Sequence, residues 1–107
     1  MRFSRLIIEE IKKQTEGKIA VLARINSDDE VPGGLDVHDS AAIAAYLESC
    51  GLDAIHVSRA VHIKDEYMWA PTVIHGGFSA DLVEEIKRAV KIPVITVGRY
   101  TEPQFAD

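Results

Sequence analysis

Residues 19–25 of the chain read Ile-Ala-Val-Leu-Ala-Arg-Ile, an apolar run with one arginine near its end. The run does not alternate between apolar and polar residues, which is typical of a strand buried on both faces of a parallel sheet. Residues 54–58 and 93–98 are similarly apolar. We therefore predict strands at about 19–25, 54–58 and 93–98.

Segments with helical periodicity alternate with these strands. The first carries an apolar stripe that we expect to be buried: Phe3, Leu6, Ile7 and Ile11. A second helix is predicted over residues 39–50 with Asp36 as its N-cap, and a third begins after Ser79. Residues 101–107 resemble the first turn of another helix. The order α-β-α-β-α-β predicts an α/β fold with parallel strands and right-handed crossovers.

The boundaries of this pattern favour part of a larger barrel. The chain starts on a helix and stops at a helix N-terminus, and three parallel strands leave two unpaired edges. We therefore expect residues 1–107 to form one fragment of a parallel β/α barrel. Unpaired edges beside apolar side chains also predict self-association, most simply as a two-fold homodimer.

Composition excludes several classes of protein. The 107 residues include 47% apolar and 27% charged side chains, and the formal net charge of −5 argues against a nucleic-acid or anionic-membrane partner. No apolar run is long enough to span a membrane. Cys50 is the only cysteine, so an internal disulfide or an iron–sulfur cluster within the chain is excluded. We expect a reducing, cytoplasmic setting.

Functional residues in parallel β/α folds gather where the strands end. Arg24 interrupts an apolar strand near its end, and a buried guanidinium needs an anionic or acceptor-rich partner. A structural ion pair with an acid of the next loop, such as Asp28, is the alternative. Gly98 ends the third predicted strand and Arg99 follows it, where a glycine and a helix start favour phosphate. A plain tight turn remains the alternative there.

Residues 59–78 form a long segment without clear periodicity, which we predict to be a loop. Such a loop is often a lid or a substrate wall, although a partner-docking surface is also possible. The histidines within and near it have no compact metal-ligand spacing, so no metal site is expected: His56, His62 and His75. We interpret His56 as a packing residue, and we assign no catalytic residue in this segment.

Several motifs resemble the Old Yellow Enzyme family of NADH:flavin oxidoreductases. They are Ala23-Arg24-Ile25-Asn26, Gly33-Gly34-Leu35, residues 51–58 and, as the most specific match, residues 92–107. The resemblance is greatest to the 2,4-dienoyl-CoA reductase and enoate reductase branch, and it covers essentially the whole chain. It implies the middle-to-late part of an FMN-binding (β/α)8 barrel.

The resemblance also implies roles for individual residues. Arg24 matches the arginine near the pyrimidine side of the flavin, and Gly98 and Arg99 match the loop that helps to hold the FMN phosphate. The implied whole enzyme takes electrons from NAD(P)H and reduces activated C=C bonds of enoyl-type small molecules. The family's catalytic histidine and tyrosine, its second phosphate loop and its iron–sulfur cysteines match no residue of this chain. We therefore expect residues 1–107 to be inactive alone.

Two other interpretations stay open at this stage. A non-catalytic α/β module that binds a partner or a small phosphate ligand would also have this pattern of elements. A dihydroorotate-dehydrogenase-like barrel would explain Gly98-Arg99, but not Arg24-Ile25-Asn26 together with Gly33-Gly34.

Overall fold

The computed structural model describes residues 1–106; Asp107, the last residue of the predicted C-terminal helix, lies outside them. Three parallel strands form one sheet in the order β1-β2-β3: Leu22–Asn26, Ala54–Ser58 and Val94–Thr96. The helices are α1 (Arg2–Gln14), α2 (Val37–Ser49), α3 (Asp65–Met68), α4 (Ala80–Ala89) and α5 (Pro103–Ala106), with a 3₁₀ turn at His62–Lys64 before α3. The predicted alternation of helices and parallel strands is confirmed.

Strand β2 has the predicted bounds, whereas β1 starts later and β3 is shorter than predicted. Before β1, the Val21 N–H donates to the side chain of Asp53 (Oδ2, 2.6 Å) rather than to a backbone carbonyl. Before β3, Pro93 has no N–H to donate to a sheet ladder. After β3, the Gly98 carbonyl accepts from Gly77 N at 2.7 Å, outside the sheet. The backbone bonds Asp53 N to Val21 O and Ile55 N to Pro93 O still join the strands there, but neither Val21 nor Pro93 donates an N–H to the ladder.

Helices α2 and α4 cover one face of the sheet. The strands are added in one direction, and right-handed crossovers then place the connecting helices on one side. On that side Ile55 and Val57 of β2 are 0% exposed. They belong to one apolar cluster with Leu47 of α2 and Ile86 of α4. The core of the chain therefore lies between the sheet and these two helices.

The opposite face of the sheet is left open within residues 1–106. Leu22 of β1 is 52% exposed and Ile95 of β3 is 44% exposed. The prediction that the first strand is buried on both faces is therefore wrong for the described residues, because the crossover helices all lie on the other side. A parallel sheet with helices on one face only is the wall of a β/α barrel, which agrees with the predicted partial (β/α)8 fold.

Helix α1 buries a different stripe from the one predicted. Ile8 is buried and Ile11 packs beside the core. The rest of the predicted stripe is exposed: Phe3, Leu6 and Ile7. On the same helix, the Lys12 ammonium binds the Asp53 carboxylate across the start of the sheet. This hydrogen bond from Lys12, followed by that from Val21 N, lowers the pKa of Asp53.

The predicted N-terminal residues of two helices are in place, but only one of them caps through its side chain. Asp36 Oδ1 accepts from Asp39 N at 2.9 Å, so this side-chain cap of α2 is confirmed. Ser79 occupies the N-cap position of α4, where its backbone carbonyl accepts from Val83 N at 2.9 Å. Its Oγ makes no capping bond and is buried without a partner among the described residues.

The predicted long loop is partly helical. Residues 59–78 contain the 3₁₀ turn and the short helix α3, both too short to produce a readable hydrophobic period. We refer to residues 59–78 as the β2–α4 segment. It follows the carboxyl end of β2, and this position places it over the candidate site.

Candidate functional site

A cleft lies where the carboxyl ends of the three parallel strands meet. It has a volume of about 940 Å³. Residues from or after each strand line it, as do aromatic residues of the β2–α4 segment: Arg24, Arg59, Tyr67, Phe78, Gly98 and Arg99. The structure therefore brings the three predicted site residues, Arg24, Gly98 and Arg99, into one cleft. Such a location is where parallel β/α folds bind ligands.

The Arg24 side chain lies on the open face of the sheet and lines the cleft. In the sheet it is the neighbour of His56, which is half-buried. The alternative ion pair with Asp28 is not formed among the described residues; Asp28 Oδ1 instead accepts from Glu30 N at 2.6 Å. Across residues 1–106 the Arg24 guanidinium has no hydrogen-bond or ion-pair partner. Its donors are thus available to an anion in the cleft.

Gly98 occupies a position where a side chain would be strained. Its φ of +152° is outside the conformations that L-amino acids adopt readily. A Cβ at this position would lie 3.3 Å from Phe78 Cε1. The glycine therefore lets the backbone after β3 pass close to the aromatic ring, at the edge of the cleft.

The Arg99 guanidinium binds the β2–α4 segment as well as lining the cleft. Its Nη1 donates to the carbonyls of Pro71 (3.1 Å) and Ile74. Neither carbonyl is adjacent to Arg99 in sequence, so only the tertiary structure reveals these bonds. Among the described residues Nε and Nη2 have no such partner. Arg99 can therefore hold the segment and still present donors to a phosphate.

Sequence reasoning missed Arg59, a third cleft arginine. It follows β2 directly, as Arg99 follows Gly98 after β3. The guanidinium forms an ion pair with Glu30 (Nη2–Oε1, 2.5 Å) and lies over the ring of Tyr67 (Cζ to centroid, 4.7 Å). Its position at a strand end is the signal that could have identified it. The cleft is thus lined by three arginines, and Arg24 and Arg99 have no acidic partner among the described residues, which favours an anionic ligand.

Polar groups also connect the ends of β1 and β2. Ser58 Oγ donates to Asn26 Oδ1 at 2.8 Å, and Asn26 Nδ2 donates to Asp29 Oδ1 at 3.0 Å. Both Asn26 and Ser58 line the cleft. These bonds fix the floor of the cleft beside Arg24.

The described residues contain no group of three or more His, Cys, Asp or Glu side chains that could hold a metal ion. Nor does any helix in the described part of the chain have the length and apolar character needed to cross a membrane.

Comparison with known proteins identifies the family. The model of the NADH:flavin oxidoreductase / NADH oxidase family matches residues 1–107. The chain belongs to this family. An NADH oxidase from Thermoanaerobacter brockii is 36% identical over 107 residues, which are 100% of this chain and 16% of that protein. An NADPH dehydrogenase from Bacillus subtilis strain 168 is 26% identical over 106 residues, 99% of this chain and 29% of that protein.

A solved structure shares the fold. The chain superposes on a 2-naphthoyl-CoA reductase in complex with 2-naphthoyl-CoA with a TM-score of 0.81 and 23% identity, covering 98% of this chain and 16% of that one. Together, the family match and this superposition confirm the predicted resemblance and the predicted fold class. The chain thus spans about a sixth of the NADH oxidase and of the solved reductase. The roles predicted for Arg24, Gly98 and Arg99 stay predictions.

Proposed function

We propose that the chain contributes part of the FMN site of an NAD(P)H-dependent oxidoreductase that reduces activated C=C bonds, of the 2,4-dienoyl-CoA or enoate type. One observation carries this proposal: the unpartnered guanidinium of Arg24 lines the same cleft as Gly98 and Arg99. Family membership supports the flavin and the nicotinamide donor. The substrate type rests on the resemblance of residues 92–107 to that branch.

The residues present fit an anionic flavin mononucleotide. Arg24 would stand beside the pyrimidine side, where a fixed cation stabilises negative charge on the ring system. Gly98 lets the backbone after β3 pass close to the Phe78 ring at the edge of the cleft, and Arg99 has free guanidinium donors for the phosphate. Bound FMN supplies hydride transfer between a reduced nicotinamide and the C=C bond. The role of this chain is to bind and orient the cofactor.

We propose no catalytic residue within residues 1–107, and we propose that the chain alone is inactive. Arg24, Gly98 and Arg99 supply only part of the contacts that a whole flavin needs. In this proposal an iron–sulfur cluster, if the whole enzyme has one, is bound outside this segment, because Cys50 is the only cysteine here. The proposed setting is the cytoplasm, where a lone thiol stays reduced.

We also propose that the isolated chain associates with itself. The open sheet face presents Leu22, Ile95 and Val97 to solvent. Exposed apolar side chains next to unpaired strand edges favour pairing with another copy.

The flavin proposal is tested by FMN titration of two proteins. The isolated chain should bind FMN weakly or not at all, as followed by flavin absorbance near about 450 nm. The second protein is a chimera in which residues 1–107 replace the matching segment of the Thermoanaerobacter brockii NADH oxidase, and it should bind FMN stoichiometrically.

The chimera also allows a matched pair of variants. Arg99→Ala should weaken FMN binding about tenfold or more, because it removes donors to a phosphate. Arg88→Ala removes the same charge from an exposed ion pair on α4 and should leave binding unchanged. A stoichiometric yellow complex of the isolated chain would show that the site is more complete than proposed. Equal FMN affinities of the two chimera variants would show that Arg99 is not part of the FMN site.

A further inference from the structure

The Arg59 guanidinium joins segments that surround the cleft but are distant in sequence. Its Nε and Nη2 donate to Glu30 Oε1 at 2.6 and 2.5 Å, and its Nη1 donates to the Phe78 carbonyl at 2.5 Å. The side chains of Arg59 and Glu30 are only 18% and 22% exposed. Water therefore screens this charge pair less than it screens a surface pair.

The same guanidinium lies against two aromatic rings, Tyr67 and Phe78, which we call the aromatic wall. Arg59 Cζ is 4.7 Å from the ring centroid of Tyr67 and 5.8 Å from that of Phe78. These distances are within the range of cation–π attraction. Both rings line the cleft. Arg59 therefore contacts both members of the wall: Tyr67 through its ring, and Phe78 through its ring and its backbone carbonyl.

The backbone beside this contact is in a conformation that needs support. Glu30 has a φ of +59° and Ala60 a φ of +66°, which non-glycine residues adopt at a cost. Such conformations persist only where surrounding contacts hold them, and they concentrate at functional sites. Arg59 is next to Ala60 and bonded to Glu30, so it is placed to hold both turns.

We infer that Arg59 is a positioning residue that fixes the aromatic wall against which a flat, conjugated substrate packs. This inference rests on the proposed function. Arg59 acts through Tyr67 and Phe78, because each of its three guanidinium nitrogens already donates to Glu30 or to the Phe78 carbonyl. A planar guanidinium can donate hydrogen bonds to the carboxylate and the carbonyl while it stacks on the rings, whereas the compact ammonium of lysine cannot.

The inference is tested first on the chain itself, labelled with 3-fluorotyrosine and observed by ¹⁹F NMR. The three tyrosines are Tyr46, Tyr67 and Tyr100, and Tyr67→Phe assigns the Tyr67 resonance. In Arg59→Ala the Tyr67 resonance should move to the position of a solvent-exposed fluorotyrosine. Tyr46 and Tyr100 should keep theirs, which separates a local release of the wall from global unfolding.

Two milder variants and one control complete the NMR experiment. Arg59→Lys and Glu30→Gln keep most of the packing, and each should shift the Tyr67 resonance part of the way. Arg88→Ala, which removes an arginine with a side chain 72% exposed, should shift nothing. An unchanged Tyr67 resonance in Arg59→Ala would overturn the inference. If Arg59→Ala does not fold, an unchanged Tyr67 resonance in both milder variants would overturn it.

The consequence for catalysis is measured in the chimera with NADH and 2-cyclohexen-1-one. Arg59→Ala should raise KM for the ketone about tenfold and leave kcat within about twofold, because the wall contributes binding rather than bond making. Arg59→Lys should restore part of the loss. A fall in kcat with constant KM would contradict the assigned role. A chimera without flavin activity would count against the proposed function, while the NMR result would still decide whether Arg59 holds the wall.

Discussion

Replacing Gly98 by alanine should destabilise the chain by about 3 kcal/mol. Part of this cost is backbone strain, because a φ of +152° is outside the regions open to an L-amino acid; such strain costs roughly 1–3 kcal/mol. The added methyl group would also meet Phe78 Cε1 at 3.3 Å. The Phe78 ring has little room to move away, because it is 7% exposed and packs against Arg59 and the Tyr67 ring.

Gly33→Ala is the matched control for this substitution. Gly33 also has a positive φ, +78°, but a Cβ there would have nothing within 4 Å. Its conformation is closer to the left-handed region, so the cost should be only about 1 kcal/mol. Both variants gain the same small benefit from a less flexible unfolded chain, which cancels when they are compared.

The assay is urea unfolding followed by circular dichroism, with wild type and both variants at one protein concentration because self-association would couple to stability. The free energy of unfolding should fall about 2 kcal/mol further in Gly98→Ala than in Gly33→Ala. Equal losses in the two variants would refute the argument that the Phe78 contact and the unusual φ make glycine necessary after β3.

Three further predictions concern the cofactor, the self-association of the chain and its stability at low pH. In the chimera, Arg24→Ala should slow flavin reduction by NADH about a hundredfold, ~3 kcal/mol, and weaken substrate binding less; a stopped-flow rate within twofold of wild type would make Arg24 a structural residue. The isolated chain should elute as a dimer in size exclusion with light scattering; a sharp monomer peak with a cooperative thermal transition would contradict this. The hydrogen bond from Lys12 lowers the pKa of Asp53 in the folded chain. The ionised carboxylate therefore stabilises the folded chain at pH values above its unfolded pKa of about 3.9. This stabilisation is lost as the pH falls through the lower pKa of the folded chain. Asp53→Asn should thus reduce the urea midpoint at pH 7 and have little effect at the lowest pH at which the chain still folds; an equal reduction at both would exclude this linkage.

The sequence by itself determined the family and the alternation of the main helices with the three strands, although not helix α3. Local signals are sufficient for these features: the apolar run of β2 has the predicted bounds, and Asp36 caps α2 three residues before Asp39. The motif around residues 92–107 is also local, and the family match over residues 1–107 confirms the resemblance. Because strands that alternate with helices run parallel, the position of Arg24, Gly98 and Arg99 at one edge of the sheet followed as well.

Only the tertiary structure decided which surfaces are covered and which partners the cleft arginines have. The apolar stripe of α1 includes Phe3, yet Phe3 is exposed, whereas Ile8 of the same helix is buried and Lys12 binds Asp53, 41 residues apart. Hydrophobic periodicity indicates that a face exists, but not what covers it. The ion pair of Arg59 and Glu30 spans 29 residues, and each βα turn that it joins contains a residue with positive φ. Such long-range pairs form because the turns that follow neighbouring parallel strands lie close together in the fold. A local pattern of residues does not predict this proximity.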